Sequence, residues 1–273
     1  MASRLSRGAT MWKIRKAAKA RPPPEVARRF ADLHAMPPAG KVAALAGPDA
    51  YAWIKAAARH GLAEAQVLLG QLYLDGRIGP PGAGLAFLWF STAARSGYPP
   101  ALNMKGRCLE NGWDIEADPV AAAVCYKAAA HAGLDWAQYN LANMLLGSTG
   151  IARSRPAAYA WYEQAAAQGH AKSMNMLGRF HEEGWDRPRQ PGLAETWYRR
   201  SAEGGDYRGQ FNLGSLLAQH GRRDEAAVWL GSALRNGSSD FLREAAAMLD
   251  KGGDPMFHTL AKQALARRVA MAG

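Results

Sequence analysis

Histidine, cysteine and paired carboxylates are the residue types here that could hold a metal or attack a substrate. Their spacing gives them little to work with. A zinc-protease helix needs two histidines one turn apart with a glutamate between them, and His181-Glu182-Glu183 supplies one histidine. His60, His131, His170 and His220 are scattered and share no repeat position. Cys108 and Cys125 cannot staple a chain of 273 residues and read as buried small hydrophobes in a reducing compartment. Gly79–Gly84 (GPPGAG) lacks the lysine and strand context of a phosphate loop and reads as a turn. The expectation is no metal, no cofactor and no catalysis. Recognition chemistry remains. Trp113 and Trp185 recur in two Gly-Trp-Asp loops. Each either plugs a gap between repeats or stands exposed as a binding anchor, since tryptophan is enriched at hot spots.

The elements that would position these residues come from a repeat. Trp53, Trp89, Trp161 and Trp197 fall on a 36-residue grid, Cys125 fills the empty node, and Trp229 follows 32 residues after Trp197. With this position as zero, alanine stands at −3 in all six copies (Ala50, Ala86, Ala122, Ala158, Ala194, Ala226). Large residues stand at +1 (Ile54, Phe90, Tyr126, Tyr162, Tyr198, Leu230), and glycine at +8 (Gly61, Gly97, Gly133, Gly169, Gly205, Gly237). Positions −3, 0, +1, +4, +5 and +8 lie within an arc of about 140° at 100° per residue, the buried face of a helix. The glycine stops that helix as a left-handed C-cap. A second helix follows, with leucine at +16 (Leu69, Leu141, Leu177, Leu213) and small residues at +17 (Gly70, Gly106, Ala142, Gly178, Gly214, Ala246). Glycine inside a helix costs about 1 kcal/mol against alanine. Its recurrence implies close backbone approach, expected to the alanines at +4 and +5 of the first helix. Gly76, Gly112 and Gly184 close this second helix.

The pattern Ala-x-x-Trp-Tyr-x-x-Ala-Ala-x-x-Gly (best in Ala158–Gly169) followed by Ala-Gln-Tyr-Asn-Leu (Ala137–Leu141) resembles the Sel1-like repeat, a relative of the tetratricopeptide repeat. The resemblance covers residues 49–253. It implies an all-α, right-handed α-solenoid of about six helix-turn-helix repeats, with first helices lining a concave face and protein partners bound there. It also makes Asn140 and Asn212, at +15, structural residues bonding loop backbone. Cys125 in place of tryptophan, Lys105 in place of leucine and a short sixth copy depart from the pattern. The cysteine pairs of some secreted relatives are absent, so nothing of their activities carries over.

The ends differ from the repeats. Residues 24–48 read as short capping helices before an N-cap at Asp49, and residues 254–273 as a C-terminal capping helix after Pro255. Residues 1–48 carry ten Lys/Arg against Glu25 and Asp32, a net of +8, while the rest nets +3. The basic balance therefore belongs mainly to the arm, residues 1–23, where Lys13, Arg15, Lys16 and Lys19 are interleaved with Met11, Trp12 and Ile14. Three readings of the arm stay open: a solvated tail, an amphipathic segment meeting an anionic membrane or acidic partner, and a transit peptide. Arginine and alanine abundance points to a GC-rich bacterial genome, which weakens the transit reading. No signal peptide or membrane span is evident, so the expected place is the cytoplasm, with peripheral membrane association through the arm left open.

The most polar line left on the first helices is −2, +2 and +6, residues four apart and so stacked on one face. In the first three copies it is basic with aromatics beside the charges: Tyr51, Lys55 and Arg59; Phe87 and Arg95; Lys127 and His131. It reads either as an ordinary solvated face or as a groove for an acidic or C-terminal peptide. The resulting expectation is an adaptor or scaffold for a protein or peptide. Nucleic-acid association through the arm, or an enzyme built on the same scaffold, stands as the rival.

Overall fold

The computed structural model describes residues 50–147 and 150–272, with isolated helical positions at 24, 25, 28 and 32. The arm residues Lys13, Arg15, Lys16 and Lys19, the N-cap Asp49 and most of residues 24–48 lie outside the described residues. The described residues form thirteen helices and no strand. First helices are α1 (Ala50–Arg59), α3 (Ala83–Ala94), α5 (Pro119–His131), α7 (Arg155–Ala167), α9 (Pro191–Glu203) and α11 (Arg223–Asn236). Second helices are α2 (Ala63–Leu74), α4 (Pro99–Asn111), α6 (Asp135–Leu146), α8 (Ala171–Glu183), α10 (Tyr207–Gln219) and α12 (Ser239–Lys251); α13 spans Pro255–Ala272. This is an all-α repeat solenoid. Its residues gather into two compact units, divided within α6 between Ala137 and Gln138.

Boundaries follow local chemistry. Proline begins α4, α5, α9 and α13, where its missing N–H is no loss. Asp118 and Asp206 accept from the backbone N–H groups of Ala121 and Gly209, both at 2.9 Å, as N-caps. Five of the six +8 glycines take the left-handed backbone, with φ from 77° at Gly97 to 92° at Gly169. Gly237 departs from the expectation: its φ is −71°, and α11 runs to Asn236 without a left-handed stop.

The +17 glycines do mark close approach, but to a different neighbour than expected. A Cβ at Gly70 would stand 2.6 Å from the Phe90 ring, one at Gly106 2.7 Å from Tyr126, one at Gly178 2.5 Å from Tyr198 and one at Gly214 2.7 Å from Leu230. In these four copies the second helix thus receives the +1 side chain of the next first helix rather than the +4 and +5 alanines of the preceding one. The tightly interlocked pairs are α2 with α3, α4 with α5, α8 with α9 and α10 with α11. The tryptophan column also needs correction as a core column. Trp89 and Cys125 are buried, whereas Trp53, Trp161, Trp197 and Trp229 are half-buried. The six +1 residues are fully buried.

Several polar side chains inside the stack hydrogen-bond to its backbone or to each other. Gln66 and Gln210, both at +13, donate Nε2 to the carbonyls of Ala58 (2.9 Å) and Ala202 (3.3 Å), near the ends of α1 and α9 where carbonyls lack helical partners. Three +1 tyrosines are buried to the hydroxyl and donate to the preceding second helix: Tyr126 to Glu110 (2.7 Å), Tyr198 to Glu182 (2.6 Å) and Tyr162 to Asn143 (2.6 Å). Burial, ahead of the carboxylates, pushes the Tyr126 and Tyr198 phenols far up, so they stay protonated donors. In the second unit, α13 lays Phe257 and Ala261 into the cluster of Leu230, Leu242 and Leu249.

Candidate functional site

The −2, +2, +6 line runs from shoulder to surface. Tyr51, Phe87, Ala123, Tyr159, Glu195 and Ala227 at −2 are half-buried, while Arg59, Arg95, His131, Glu203 and Arg235 at +6 are exposed. The two aromatics offered as anchors are therefore partly covered: Tyr51 packs with Tyr73 on one core cluster and Phe87 on another that Tyr73 also touches. Lys127 is exposed, and the Lys55 ammonium sits 5.1 Å from the centroid of the Tyr51 ring.

Two copies use the same pair of columns for a polar contact with the second helix that follows. Tyr51 Oη meets Tyr73 Oη at 3.3 Å, and Tyr159 Oη meets His181 Nε2 at 3.2 Å; both join −2 to +20. Burial pushes Tyr73 up to about 12. Burial would also raise Tyr51, but the Tyr73 hydroxyl, Lys55 and Arg59 bring it below the ordinary phenol range. Burial, then the Arg187 charge, holds His181 below its usual range, so it stays neutral near pH 7. Arg187 itself lies 3.3 Å over the Tyr159 ring.

In the fifth copy the line is closed by its own charges. Arg199 bridges Glu195 and Glu225, each at 2.9 Å, and Arg222 bridges Glu195 at 2.7 Å and also Glu225. The Arg199 hydrogen bond is the leading reason that Glu195 ionises more readily than an ordinary carboxylic acid. This ring leaves little charge over for a partner, in contrast to the basic line of the first unit.

The two Gly-Trp-Asp loops are near copies. Gly112 and Gly184 end their helices at φ 64° and 70°, and Asp114 and Asp186 follow at φ 55° and 54°. Trp113 and Trp185 are half-buried, each beneath an arginine of its own second helix, Arg107 at 5.2 Å and Arg179 at 5.0 Å. Trp185 also sets its edge against Phe180 at 5.1 Å. Asp114 accepts from Gly84 N at 3.2 Å, in the first turn of α3; at the matching place of α7 stands Pro156, without an N–H, and Asp186 pairs with Arg155 at 3.9 Å instead. Cys108 and Cys125 are buried free thiols, with burial pushing Cys108 up to about 11. Among the described residues no three His, Cys, Asp or Glu side chains gather to hold a metal.

The sequence reading missed a groove of about 520 Å³ in the second unit. Second helices line it: Tyr139 of α6; Lys172, Asn175, Met176 and Arg179 of α8; Tyr207, Arg208, Phe211 and Asn212 of α10; Phe241, Glu244 and Met248 of α12. Asn175 is 5% exposed, and its Oδ1 accepts from Asn212 Nδ2 at 2.8 Å. Asn212 thus bonds a side chain of the neighbouring second helix rather than loop backbone. The +14 column that carries Asn175 holds Tyr139 and Phe211 in the flanking copies but Asn103 two copies earlier, just as Asn140 stands two copies before Asn212, so the signal recurs every 72 residues rather than every 36.

Comparison with known proteins places this architecture. The family model described as Sel1 repeat matches residues 63–98, 99–134, 137–170 and 171–206. Three of these stretches begin at the first residue of a second helix, Ala63 of α2, Pro99 of α4 and Ala171 of α8, and the fourth within α6. Each runs through the next first helix, the same pairing that the glycine contacts show. A crystal structure of a protective antigen from uropathogenic Escherichia coli, displaying an SLR fold, is similar at TM-score 0.63 and 26% identity over 80% of this chain and 49% of that one. A Sel1 repeat protein from Oxalobacter formigenes is similar at TM-score 0.64 and 24% identity, over 81% and 90%. A chitin synthase regulator, SKT5, of Malassezia restricta is 36% identical over 108 residues, 39% of this chain and 7% of that protein. The chain thus spans about half of the antigen and a small part of the fungal regulator.

Proposed function

The chain belongs to the Sel1 repeat family, and we propose that it is a non-enzymatic scaffold that holds a partner protein against its helix faces. Sel1 repeat proteins generally serve as scaffolds for protein interactions. One observation carries the reading: the columns that form the seam are buried in every copy, while the line beside them changes its chemistry from copy to copy and reaches the surface at +6. Positions −3, +1 and +4 are buried in all six copies, while −2, +2 and +6 change from basic to mixed along the chain. A solenoid of this kind presents a long surface whose chemistry varies by repeat without disturbing the stack.

In the first unit the surface line is basic. Lys55, Arg59, Arg95 and Lys127, with His131, suit an acidic segment, with Tyr51 and Phe87 giving partly covered apolar ground beside them. Such a ladder raises the encounter rate more than the final affinity. The test is Lys55→Glu with Arg95→Glu in the full chain. Association with a captured partner should slow, with helicity unchanged by circular dichroism. Recovery of the same partners at the same rate would count against the basic line.

A second reading follows from the charge of residues 1–23, seven Lys/Arg and no acid. Such an arm suits an anionic membrane surface or another polyanion. Its signature would be salt-sensitive binding to acidic vesicles that is lost when residues 1–23 are deleted. No described helix is long and apolar enough to cross a membrane.

A further inference from the structure

The first helices of the first unit carry no acid. α1 (AYAWIKAAAR), α3 (AGLAFLWFSTAA) and α5 (PVAAAVCYKAAAH) hold Lys55, Arg59, Lys127 and His131, and Arg95 caps α3. The first helices of the second unit, by contrast, hold Glu163, Glu195, Glu203, Asp224 and Glu225. Asp114, Glu116 and Asp118 precede α5, at the other end of these helices from the cations. Two of them are engaged there: Asp114 accepts from Gly84 N and Asp118 from Ala121 N.

Apolar side chains stand in water beside the cations. At about 100° per residue, −5, −1 and +3 make one outward line, and +2 and +6 fall within about 60° of −1. In α5 that line is Val120, Val124 and Ala128, with Val120 55% and Val124 65% exposed. Leu85 of α3 adds a third large aliphatic, 39% exposed, and Ala52 of α1 is exposed at −1. Thr92, at +3 of α3, donates its hydroxyl to the Leu88 carbonyl at 2.8 Å, within its own helix. Exposed aliphatics grouped on one face, unlike scattered ones, mark a surface that something covers.

Charge selects the cover. Cations without acids argue against residues 1–23, which are basic throughout, and against a second copy placed face to face. An acidic polypeptide and an anionic bilayer both suit the cations, and the valines decide between them. A peptide side chain needs a recess to desolvate it. A bilayer instead takes side chains that project, with cations beside them at the depth of the headgroup phosphates. Lysine and arginine reach that depth by laying their methylenes along apolar surface.

We propose that the outward face of α1, α3 and α5 docks on an anionic lipid bilayer, with Val120 and Val124 entering the boundary of headgroups and acyl chains and Lys55, Arg59, Arg95 and Lys127 meeting lipid phosphates. This surface belongs to the folded repeats, so it is separate from any lipid contact of residues 1–23. The scaffold reading stands apart from it.

The test places a cysteine at Val124 of the full chain and labels it with nitrobenzoxadiazole, whose emission moves to the blue as water leaves it. The native thiols, Cys108 and Cys125, are buried and do not compete while the chain is folded. Val228→Cys is the control: it is the −1 residue of the sixth copy, 64% exposed and one turn from Asp224. Vesicles of phosphatidylcholine mixed with phosphatidylglycerol should shift the label at 124 to the blue and leave the label at 228 unmoved. Phosphatidylcholine alone should shift neither. In flotation with the mixed vesicles, Val120→Gln with Val124→Gln should weaken binding about tenfold at unchanged charge, within what two valines lose by staying in water. Vesicle binding with the label at 124 still in water would overturn the face and assign the lipid to residues 1–23. A blue shift with polyglutamate and none with vesicles would overturn it in favour of an acidic polypeptide. A shift that grows with protein concentration before lipid is added would give the face to a second copy. Equal shifts at 124 and 228 would mean adsorption without a defined face. Absence of all vesicle binding overturns both lipid readings, and the capture test then decides the scaffold separately.

Discussion

Positions 0 and +1 are neighbours in sequence, large in nearly every copy, and unequal in the fold. The +1 residues Ile54, Phe90, Tyr126, Tyr162, Tyr198 and Leu230 have no exposure at all, while Trp53, Trp161, Trp197 and Trp229 keep part of their rings in water. One residue along a helix is a turn of about 100°, enough to carry a side chain from the seam between two helices to its shoulder. The comparison teaches that the rarest residue in a repeat draws the eye, while the seam is held by the residue that meets a glycine.

The comparison can be broken within one repeat. Tyr162→Ala should cost about 3–5 kcal/mol, as for large core aromatics, and chemical denaturation of the full chain would measure it. Gly178→Leu should cost about 1–3 kcal/mol by forcing Tyr198 out of its seat. At an open helix site leucine would instead be stabilising by its better propensity, so the sign of the shift in the thermal midpoint decides. Trp161→Ala should cost only about 1–2 kcal/mol, since less apolar surface leaves water there. Equal losses for Trp161→Ala and Tyr162→Ala would erase the distinction. The smallest effect is expected from Tyr198→Phe, about 1 kcal/mol for one hydrogen bond to Glu182, a half-buried carboxylate that water can reach. The same change at Trp161's neighbour, Tyr162→Phe, should be similar if Asn143 plays the part of the carboxylate.

What the chain disclosed on reading is what depends on local rules. Helices, their proline starts and the left-handed glycines at Gly61, Gly97, Gly133, Gly169 and Gly205 follow from residues a few positions apart. Which helices interlock was not legible, because a strict period places every column equally before and after its neighbours. The contacts Gly70 to Phe90 and Gly106 to Tyr126 settle it in favour of the next first helix. The partial cover of Tyr51 and Phe87 was hidden for a related reason: the −2 line looks polar when its helix is drawn alone, and Tyr73 closes over it only once α2 is in place. The groove was read past because its asparagines recur only in every second copy, Asn103 with Asn175 and Asn140 with Asn212. Asn175 has aromatic counterparts in the flanking copies, and its partner Asn212 comes from the adjacent column of the next one.

The tyrosine hydroxyls have a consequence for how such a chain could be recombined. Glu110 faces Tyr126 and Glu182 faces Tyr198, while Leu74 and Ala218 occupy the same position ahead of Phe90 and Leu230, which have no hydroxyl. Leu146 precedes Tyr162, and there Asn143, one turn back, takes the proton instead. Each junction is thus matched on both sides, although the two residues lie 16 or 19 positions apart. Duplicating one copy, or exchanging two, would set a hydroxyl against an alkyl wall or a carboxylate against a phenyl ring. The repeats are alike enough to stack in any order, yet their junctions remember the order they are in.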